Sequence, residues 1–599
     1  MWRGLAFGVL LANAAWGSCA SINTRGLIPA YRQDLADAHY RTLSNEVYFA
    51  TFALQTYLNA ASVETREGWK TYLQWKAWAA PLLEQGKWEW DAMSHASSLL
   101  YAVKPGLDAQ PFIRVRHAFE SALGYVFAVR NYGGQMAHEY AVRSRRLSEL
   151  LAADQCRLDE IDALAVWFAS VGQSPALVEA LRSTFSKSNV VMRVNPALVK
   201  KALEEFNKQE SSSKQSVNQI QGAQVVGMNY VTNEASASLV NVGDEARVRI
   251  HVKGVVNSPC NAATKGPATV YGSAVSHFTA YADVYWTGVK FAYTTPVAQA
   301  RTYSQTSSVA APIIIRRIAL NQASKKQAAG EAESAQIVER EAVEEMTKQL
   351  APAVEQLNKQ TGEMIAFAHQ AGINSKNWRS QVYSDAIEVG TILSPMSGLG
   401  ARSLETPSLA PGEEMGLSFH QSAVGGTLRP ILGGSSWTDL QFASLQKELI
   451  GMNSKEFMIG ATPERWSVVW DWLSPVILSI EPEGITFRYR FSSVQMDGKN
   501  YTSPVELHAR FEVVPTNLGV EFRRNSEVEA AAMQAGRELD AGLKAVLERK
   551  FAGLFEKVFY LDGIQFPSGG DFDALSKLEL SSVKLGHGWM HVSVKQKKE

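Results

Sequence analysis

The chain has 599 residues, 46% of them hydrophobic and 20% charged, values that are typical of soluble globular proteins. Its 59 basic and 59 acidic residues give a formal net charge of zero, which disfavours a nucleic-acid-binding protein held by a basic surface. This composition excludes wholesale disorder, a collagen-like repeat and a small disulfide-dense scaffold, and the length predicts several domains.

The N-terminus has the three parts of a secretory signal peptide, which we predict at residues 1–20. A basic residue, an apolar run and small residues follow one another as Arg3, residues 5–15, Ser18 and Ala20. The run is shorter than the roughly 20 residues that a membrane span needs. Cleavage after Gly17 is an alternative, and lipid attachment at Cys19 is disfavoured because Trp16 stands where an aliphatic residue is usual. We expect a secreted or periplasmic protein with no transmembrane span after signal removal.

Cysteine usage gives little support for a covalent or metal framework. Without the signal peptide, Cys156 and Cys260 remain, and they stand in segments of different character. Two isolated buried thiols are favoured over a disulfide between them. Because the chain has no CxxC, neither structural zinc nor another cofactor is predicted.

Residues 25–208 predict an all-helical domain. Helical spacing links Trp69 to Tyr72 and Trp75 to Trp78, so these aromatic groups share helix faces. Their density favours an aromatic core over a ligand groove. Further helices within this domain are predicted at 112–130, 136–153, 157–171, 175–185 and 195–208.

A β module is predicted at 222–385, after a polar linker at 209–221. Apolar and polar residues alternate over 246–253, which indicates a strand with one buried face. Other strands are predicted at 224–232, 237–242, 268–275, 277–286 and 288–294. A long amphipathic helix follows at 323–371, with Pro352 expected to kink it. Its apolar stripe is Ala335, Val338, Ala342, Met346, Leu350, Val354 and Leu357.

A second β module is predicted at 386–599. Its clearest strands are 485–493 and 504–514, and a second long amphipathic helix is predicted at 526–558. The repeated order of strands and helix indicates two similar modules. The predicted fold class is therefore α+β: an all-helical N-terminal domain followed by two antiparallel β modules, each carrying a long amphipathic helix.

Short motifs along the chain carry a resemblance: 188–191 (SNVV), 226–227 (VG), 316–319 (RRIA), 417–422 (LSFHQS), 466–467 (WS) and 588–589 (GW). Together they resemble a family of uncharacterised secreted proteins from planctomycetes and related bacteria. The resemblance covers most of the chain and implies secretion and architecture only, because the family brings no known activity. The family more often has His-Glu-Ser where this chain has His420, Gln421 and Ser422, which weakens a catalytic His/Glu pair.

Motifs of common enzyme classes are absent from the sequence, including HExxH, GxSxG and the Walker P-loop. On one strand, His420 and Ser422 would share a face about 7 Å apart, too far for a Ser–His hydrogen bond unless the chain folds there. The pair therefore predicts a polar strand edge rather than a catalytic site. Asp471 beside alternating tryptophans invites a carbohydrate site, but a strand face this apolar favours core packing.

The function that the sequence favours is a non-catalytic secreted envelope protein whose modules have closed cores. An alternative is binding of an apolar, lipid-type ligand in a groove between sheet and helix, analogous in architecture to tubular lipid-binding proteins. A second alternative is a secreted hydrolase whose site is not visible in the sequence. Envelope proteins or lipid are the expected partners, without nucleic acid, and the oligomeric state stays open. The groove would be lined by Phe487, Tyr489, Phe491 and Phe511.

Overall fold

The computed structural model describes residues 27–597 apart from several gaps. The predicted signal peptide, Cys156 and most of the helix predicted at 195–208 lie outside the described residues. The gaps are 102–103, 105, 108, 154–156, 198–208, 244, 288–289, 371–377, 384–385, 394–397, 402–407, 439–465, 497–498, 517–518, 534–536, 556 and 563–577.

The described chain forms two compact units and is α+β, with a helical N-terminal region followed by antiparallel sheets. The first unit comprises Met1–Met192, Ala366–Trp378 and Gly390–Glu599. The second unit comprises Arg193–Ile365 and Arg379–Val389. The first unit is therefore built from both ends of the chain, with the second inserted between them.

The first unit begins with helices packed around aromatic side chains. Trp78, Phe112 and Phe119 are fully buried in one cluster, and Trp167 and Phe168 in another, as the core interpretation predicts. The helices are α1 (Gln33–Asn59), α2 (Val63–Tyr72), α3 (Trp75–Gln85), α4 (Trp90–Leu100), α5 (Gln110–Tyr132), α6 (Met136–Ala152), α7 (Leu158–Ser170) and α8 (Pro175–Thr184).

Long strands dominate the second unit, and they pair in the order β2-β3-β4-β5, with β6 and β7 both pairing to β5. The segment predicted as a linker forms β2 instead, since a polar sequence suits a strand at a sheet edge. The strands are β2 (Gln209–Ile220), β3 (Ala223–Val242), β4 (Glu245–Lys265), β5 (Ala268–Trp286), β6 (Phe291–Tyr293), β7 (Val297–Ala310) and β8 (Arg379–Val382).

A single helix, α9 (Ile313–Gln370), follows β7 and continues through Pro352. It begins ten residues before the predicted start at 323, directly after Pro312, since β-branched isoleucines obscured its first turns in the sequence. Of the predicted apolar stripe, Met346, Leu350 and Val354 are buried.

The remainder of the first unit contains two sheets. One has the order β20-β21-β10-β1-β9, and the other has β11-β12-β14-β16-β17-β19 as its main path, with β13, β15 and β18 paired beside it. The strands are β1 (Val190–Val194), β9 (Ile387–Thr391), β10 (Met415–His420), β11 (Ser436–Thr438), β12 (Trp466–Trp470), β13 (Val476–Glu481), β14 (Gly484–Met496), β15 (Lys499–Tyr501), β16 (Val505–Thr516), β17 (Gly519–Arg524), β18 (Glu529–Ala532), β19 (Val558–Asp562), β20 (Leu578–Gly586) and β21 (Trp589–Gln596). Two helices accompany them, α10 (Ser422–Leu432) and α11 (Ala541–Phe551).

The second long helix, predicted at 526–558, is wrong in extent. Its first part is β18, because residues 529–532 pair with β16 in an antiparallel ladder. Only α11 is an α-helix, capped at its start by the Asp540 side chain, which accepts a hydrogen bond from the Leu543 backbone N–H. Alanine-rich sequence suits a helix by propensity, and pairing with β16 overrides that preference at 529–532.

Candidate functional site

In the second unit, α9 hydrogen-bonds to backbone groups along the edge strand β7. The Ser304 N–H donates to Glu331 Oε1 at 2.8 Å and the Ala300 N–H to Glu339 Oε1 at 2.9 Å. Near the other end of the strands, Asn358 donates to and accepts from the backbone of Phe291. Helix side chains therefore take the place of a neighbouring strand along this edge.

The same helix reaches the turn between β2 and β3 on the opposite side of the sheet. There Glu333 Oε2 accepts hydrogen bonds from the backbone and the side chain of Gln221, both at 2.9 Å. Glu331 and Glu333 are two residues apart on a helix about 10–12 Å across, yet they contact elements from the two sides of the sheet. The sheet therefore curls around this part of α9.

The interior of this curled sheet is unevenly covered by the helix. Ile250 and Val252 of β4 pack with Met346 and Leu350 of α9 in a small hydrophobic cluster. Their neighbours on β3 have side chains on the same face because they are paired in register, but they are only half-buried. We call this partly covered interior face the inner trough. On β3 it is formed by Val231, Ala235, Ala237 and Leu239.

The N-terminal half of α9 supplies apolar groups to the same interior. Ala335, Val338 and Ala342 lie on the predicted stripe and are half-buried, whereas Met346, Leu350 and Val354 are buried and Leu357, at its end, is exposed. One helix is too narrow to cover strands of about 20 residues in a sheet of this width. The inner trough is therefore an apolar surface that the second unit leaves partly uncovered.

The inner trough was not predicted from the sequence, because its β3 residues are aliphatic and the predicted groove was defined by aromatic side chains. A period-two pattern does run through β3, where half-buried and exposed residues alternate from Val231 to Leu239. The apolar residues of this pattern are small, and polar Asn233 lies between them. The sequence therefore predicts two short strands here instead of one long strand. The alternation continues through residues 233–236, between the two predicted strands, and this was the signal that could have identified the trough.

Gly254 lets the sheet carry a bulky aromatic group beside the inner trough. A Cβ at this position would lie 2.3 Å from the Phe278 ring and 3.1 Å from the Thr232 carbonyl oxygen. Phe278, on the neighbouring strand β5, is consequently buried against the backbone of β4. Any larger residue at 254 would have to displace the ring toward the interior.

The first turns of α9 expose apolar side chains beside basic ones. Ile313 is 90% exposed, Ile314 85% and Ile318 56%. Arg316 and Arg317 stand among them. No acidic residue occurs between 311 and 330, whereas Lys325 and Lys326 add positive charge. We call residues 313–318 the helix tip.

The residues predicted to line a ligand groove lie in the first unit. Phe491 and Phe511 are 0% and 2% exposed, and Phe487 and Tyr489 pack against the same hydrophobic cluster. Tyr489 stacks on Phe555 with ring centroids 4.7 Å apart, and burial raises its pKa to about 12. Side chains from the C-terminal part of the unit fill the space beside this sheet.

Several of the family-like motifs meet at the junction of β10 and α10. The His420 N–H donates to the Asn189 carbonyl oxygen at 2.7 Å, and the Asn189 amide donates to Ser422 Oγ at 3.2 Å. The Trp589 ring lies 4.9 Å from that of His420, and the Gly588 carbonyl oxygen accepts from the Gln421 N–H. Stretches far apart in sequence thus form one cluster.

His420 and Ser422 are in hydrogen-bond contact, unlike the separation expected on a straight strand. Nδ1 of His420 lies 2.9 Å from Ser422 Oγ because β10 ends at His420 and α10 begins at Ser422. The Ser422 N–H also donates to Nδ1, which places the ring proton on Nε2. Burial lowers the pKa of His420 to about 4, so the ring is neutral at pH 7. This arrangement fixes the strand-to-helix turn.

Asp471 and the neighbouring tryptophans are core and turn residues. Trp466 and Trp470 are buried on β12, as the core interpretation predicts. The Asp471 carboxylate accepts from the N–H groups of Leu473 and Ser474, which closes a turn after the strand. Its pKa is raised by burial, although those two hydrogen bonds oppose the shift.

Cys260 is exposed, so the prediction that it is a buried thiol is wrong. It lies on β4 beside the irregularity at Ser258/Asn261, where the regular alternation of faces breaks. Within the described ranges, His, Cys, Asp and Glu residues form no group that could hold a metal ion. Within the same ranges, no helix is long and apolar enough to cross a membrane.

Comparison with known proteins finds distant structural likenesses only. No protein-family model and no curated protein matches the chain. A lipopolysaccharide binding protein matches with a TM-score of 0.22 and 9% identity, over 69% of this chain and 100% of that one. P47 of Clostridium botulinum E1 matches with a TM-score of 0.24 and 12% identity, over 68% of this chain and 99% of that one. P47 from Clostridium botulinum A2 matches with a TM-score of 0.22 and 9% identity, over 69% of this chain and 98% of that one. These TM-scores are too low to support a functional assignment.

Proposed function

We propose that the protein binds the apolar part of a lipid-type ligand in the inner trough of the second unit. The observation that carries this proposal is the half-buried state of Val231, Ala235, Ala237 and Leu239, on the face that packs against α9 elsewhere. Apolar surface removed from water contributes about 25 cal/mol per Å². A ligand chain lying on these residues would complete the burial that one helix leaves unfinished.

The mixture of side chains in the interior suits a flexible apolar chain better than a rigid polar molecule. Asn229 and Asn233 interrupt the apolar residues of β3, and small side chains leave room beside the backbone. Polar groups at intervals fix orientation in small-molecule sites that are otherwise apolar. The trough therefore offers a long apolar surface to which each residue contributes little binding energy, and such a surface suits an acyl chain.

The helix tip supports a membrane as the source of the ligand. Exposed isoleucines next to arginines are the composition of helices that lie in the membrane interface, where basic groups meet anionic headgroups. Because Ile313 and Ile314 are almost fully exposed, they can insert without any rearrangement of the unit. We therefore include docking to an anionic membrane surface in the proposed function.

Replacing both isoleucines by serine should weaken membrane docking roughly tenfold, because two apolar side chains lose their burial in the interface. The measurement is co-sedimentation of the mature chain with phosphatidylglycerol/phosphatidylcholine vesicles. Tyr303→Ser is the matched control, since Tyr303 is 60% exposed on β7 of the same unit. Equal partitioning of the Ile313→Ser/Ile314→Ser variant and the control would remove the helix tip from the proposal.

Export belongs to the same proposal. The signal-like N-terminus and the resemblance to secreted bacterial proteins both support a location in the periplasm or outside the cell. N-terminal sequencing of the protein recovered from its producing cell tests this directly. A mature chain that still begins at Met1 would contradict it.

Native mass spectrometry of the mature chain, purified without detergent, tests ligand binding. We expect bound lipid at a fixed ratio, and the same species in an organic extract. Ala235→Trp fills the inner trough and should lower lipid occupancy by about tenfold or more. Ser236→Trp is the matched control, because the adjacent residue on a strand points to the opposite face and Ser236 is exposed.

Two results would contradict the proposal. A chain that carries no lipid, even after incubation with vesicles, would favour two modules with closed cores. Equal lipid occupancy in Ala235→Trp and Ser236→Trp would show that the ligand lies elsewhere. Circular dichroism of both variants checks that the added indole has not unfolded the sheet.

A further inference from the structure

The first unit contains a cavity of about 600 Å³ among its helices, independent of the inner trough. Small-molecule sites fall in the range of about 300–1,000 Å³. Residues of α1, α4, α5, α7, α8 and α10 line it. The apolar part of the lining is Leu43, Leu123, Phe127, Val166, Val178 and Trp472.

Arg429 of α10 supplies the most buried cationic group of the lining. The residue is 8% exposed, and one guanidinium nitrogen, Nη2, donates to the Asp162 carboxylate of α7. Its other two nitrogens, Nε and Nη1, are buried and have no hydrogen-bond partner within the described part of the chain. A buried N–H without a partner costs about 1–3 kcal/mol, and more when the group is charged.

Asp162 is already engaged and cannot satisfy the remaining donors. Its second oxygen, Oδ1, accepts from the Leu399 N–H at 2.7 Å. Ser97 also lines the cavity, and its buried hydroxyl has no partner among the described residues. Since a guanidinium only donates and a hydroxyl can do so, Arg429 and Ser97 offer buried donors to an acceptor.

Two of the three acidic residues that line the cavity stand where solvent reaches. Glu46 and Glu179 line the cavity but are exposed, so water and salt screen them. The third, Glu120, is half-buried; its Oε2 accepts from the Tyr101 hydroxyl, and its charge interacts with the buried Arg116 guanidinium. Arg182 adds a second cation to the lining. An acceptor group would therefore sit on Arg429, with an apolar body against the hydrophobic side chains.

We propose that this cavity binds a small amphipathic carboxylic acid, with its carboxylate on the free N–H groups of Arg429 and its apolar body among Leu123, Phe127 and Trp472. A guanidinium and a carboxylate match in geometry, and the charge-assisted bonds are stronger than those of a neutral acceptor. The site lies within the first unit and does not depend on the inner trough.

Isothermal titration calorimetry with three twelve-carbon probes tests the proposal: dodecanoate, 1-dodecanol and dodecylamine. The mature chain carrying Ala235→Trp is used, so that binding in the inner trough is suppressed and the two sites are distinguished. We expect dodecanoate to bind at least about tenfold more tightly than the alcohol, as charge-assisted hydrogen bonds imply. Equal affinity for acid and alcohol, or tightest binding of the amine, would overturn the proposal.

The double variant Arg429→Met/Asp162→Asn removes both charges of the buried pair and keeps an acceptor for the Leu399 N–H. It should abolish the preference for the acid, because binding of the acid falls far more than binding of the alcohol. Asp162→Asn alone is the control, which should retain the preference. A preference that persists in the double variant would sink the assignment to Arg429.

Arg429→Lys provides a second route if the double variant fails to fold. It keeps the positive charge beside Asp162 but loses the planar fork. Binding of dodecanoate should fall several-fold, while binding of the alcohol stays the same. A Lys variant that binds both probes as the parent does would contradict the proposal.

Discussion

Phe491→Ala is expected to destabilise the first unit by about 3–5 kcal/mol, the range for truncating a fully buried aromatic side chain. Phe491 is 0% exposed on β14, and its ring contacts those of Trp470 and Phe551. Removing it leaves a cavity lined by rigid rings that cannot collapse easily. The loss should appear without added ligand, since protein side chains alone form these contacts.

Urea unfolding followed by tryptophan fluorescence measures this loss. Of the tryptophans that the structure describes, only Trp286 belongs to the second unit, so the signal reports the first unit. Phe49→Ala is the matched control, because Phe49 is 60% exposed on α1 and its loss should cost less than about 0.5 kcal/mol. Similar stabilities of the two variants would show that the sheet around Phe491 is open rather than filled.

The second large effect is a loss of stability in acid caused by His420. Its pKa falls from 6.5 to about 4 in the folded protein because the ring is buried. The native state therefore disfavours the proton that the unfolded chain accepts below pH 6.5. Stability from this group is complete above pH 6.5 and is lost as the pH falls toward 4, by about 3 kcal/mol in total.

Unfolding of the wild-type chain and of His420→Asn, compared between pH 7 and pH 4, isolates this contribution. Asparagine can accept the hydrogen bonds of Ser422 but does not titrate, so the stability of the variant should fall less steeply. Burial also lowers the pKa of His39 and His117, so some acid sensitivity remains in both proteins. Parallel pH profiles for the two chains would show that His420 is not the titrating group.

Local pattern was sufficient to predict most helices and the alternating strands. The helical spacing of Trp75 and Trp78 predicted the buried face of α3, and the alternation around Ile250 predicted the face that meets α9. These features depend on side-chain period, which the sequence displays directly. The N-terminal helical region and the antiparallel sheets that follow it are accordingly as expected.

What the sequence could not predict depends on contacts between distant segments. Strand β18 is helical by propensity and becomes a strand only because β16 offers an unpaired edge. The cavity around Arg429 gathers residues from positions 39 to 472, and no local pattern links them. The inner trough exists because α9 covers the sheet incompletely. How much of a sheet a helix covers is not encoded in either segment alone.

The contacts between β7 and α9 also indicate how the second unit can fold. Hydrogen bonds that join α9 to β7 and β6 span 27, 39 and 67 residues, in order of distance from the turn at Pro312. Each contact shortens the chain left to close before the next, so the entropy of ordering is lost in small steps. Docking of the helix onto β7 and β6 can therefore propagate outward from one turn, which leaves the contact of Glu333 with the turn between β2 and β3, 112 residues apart, as the long-range step.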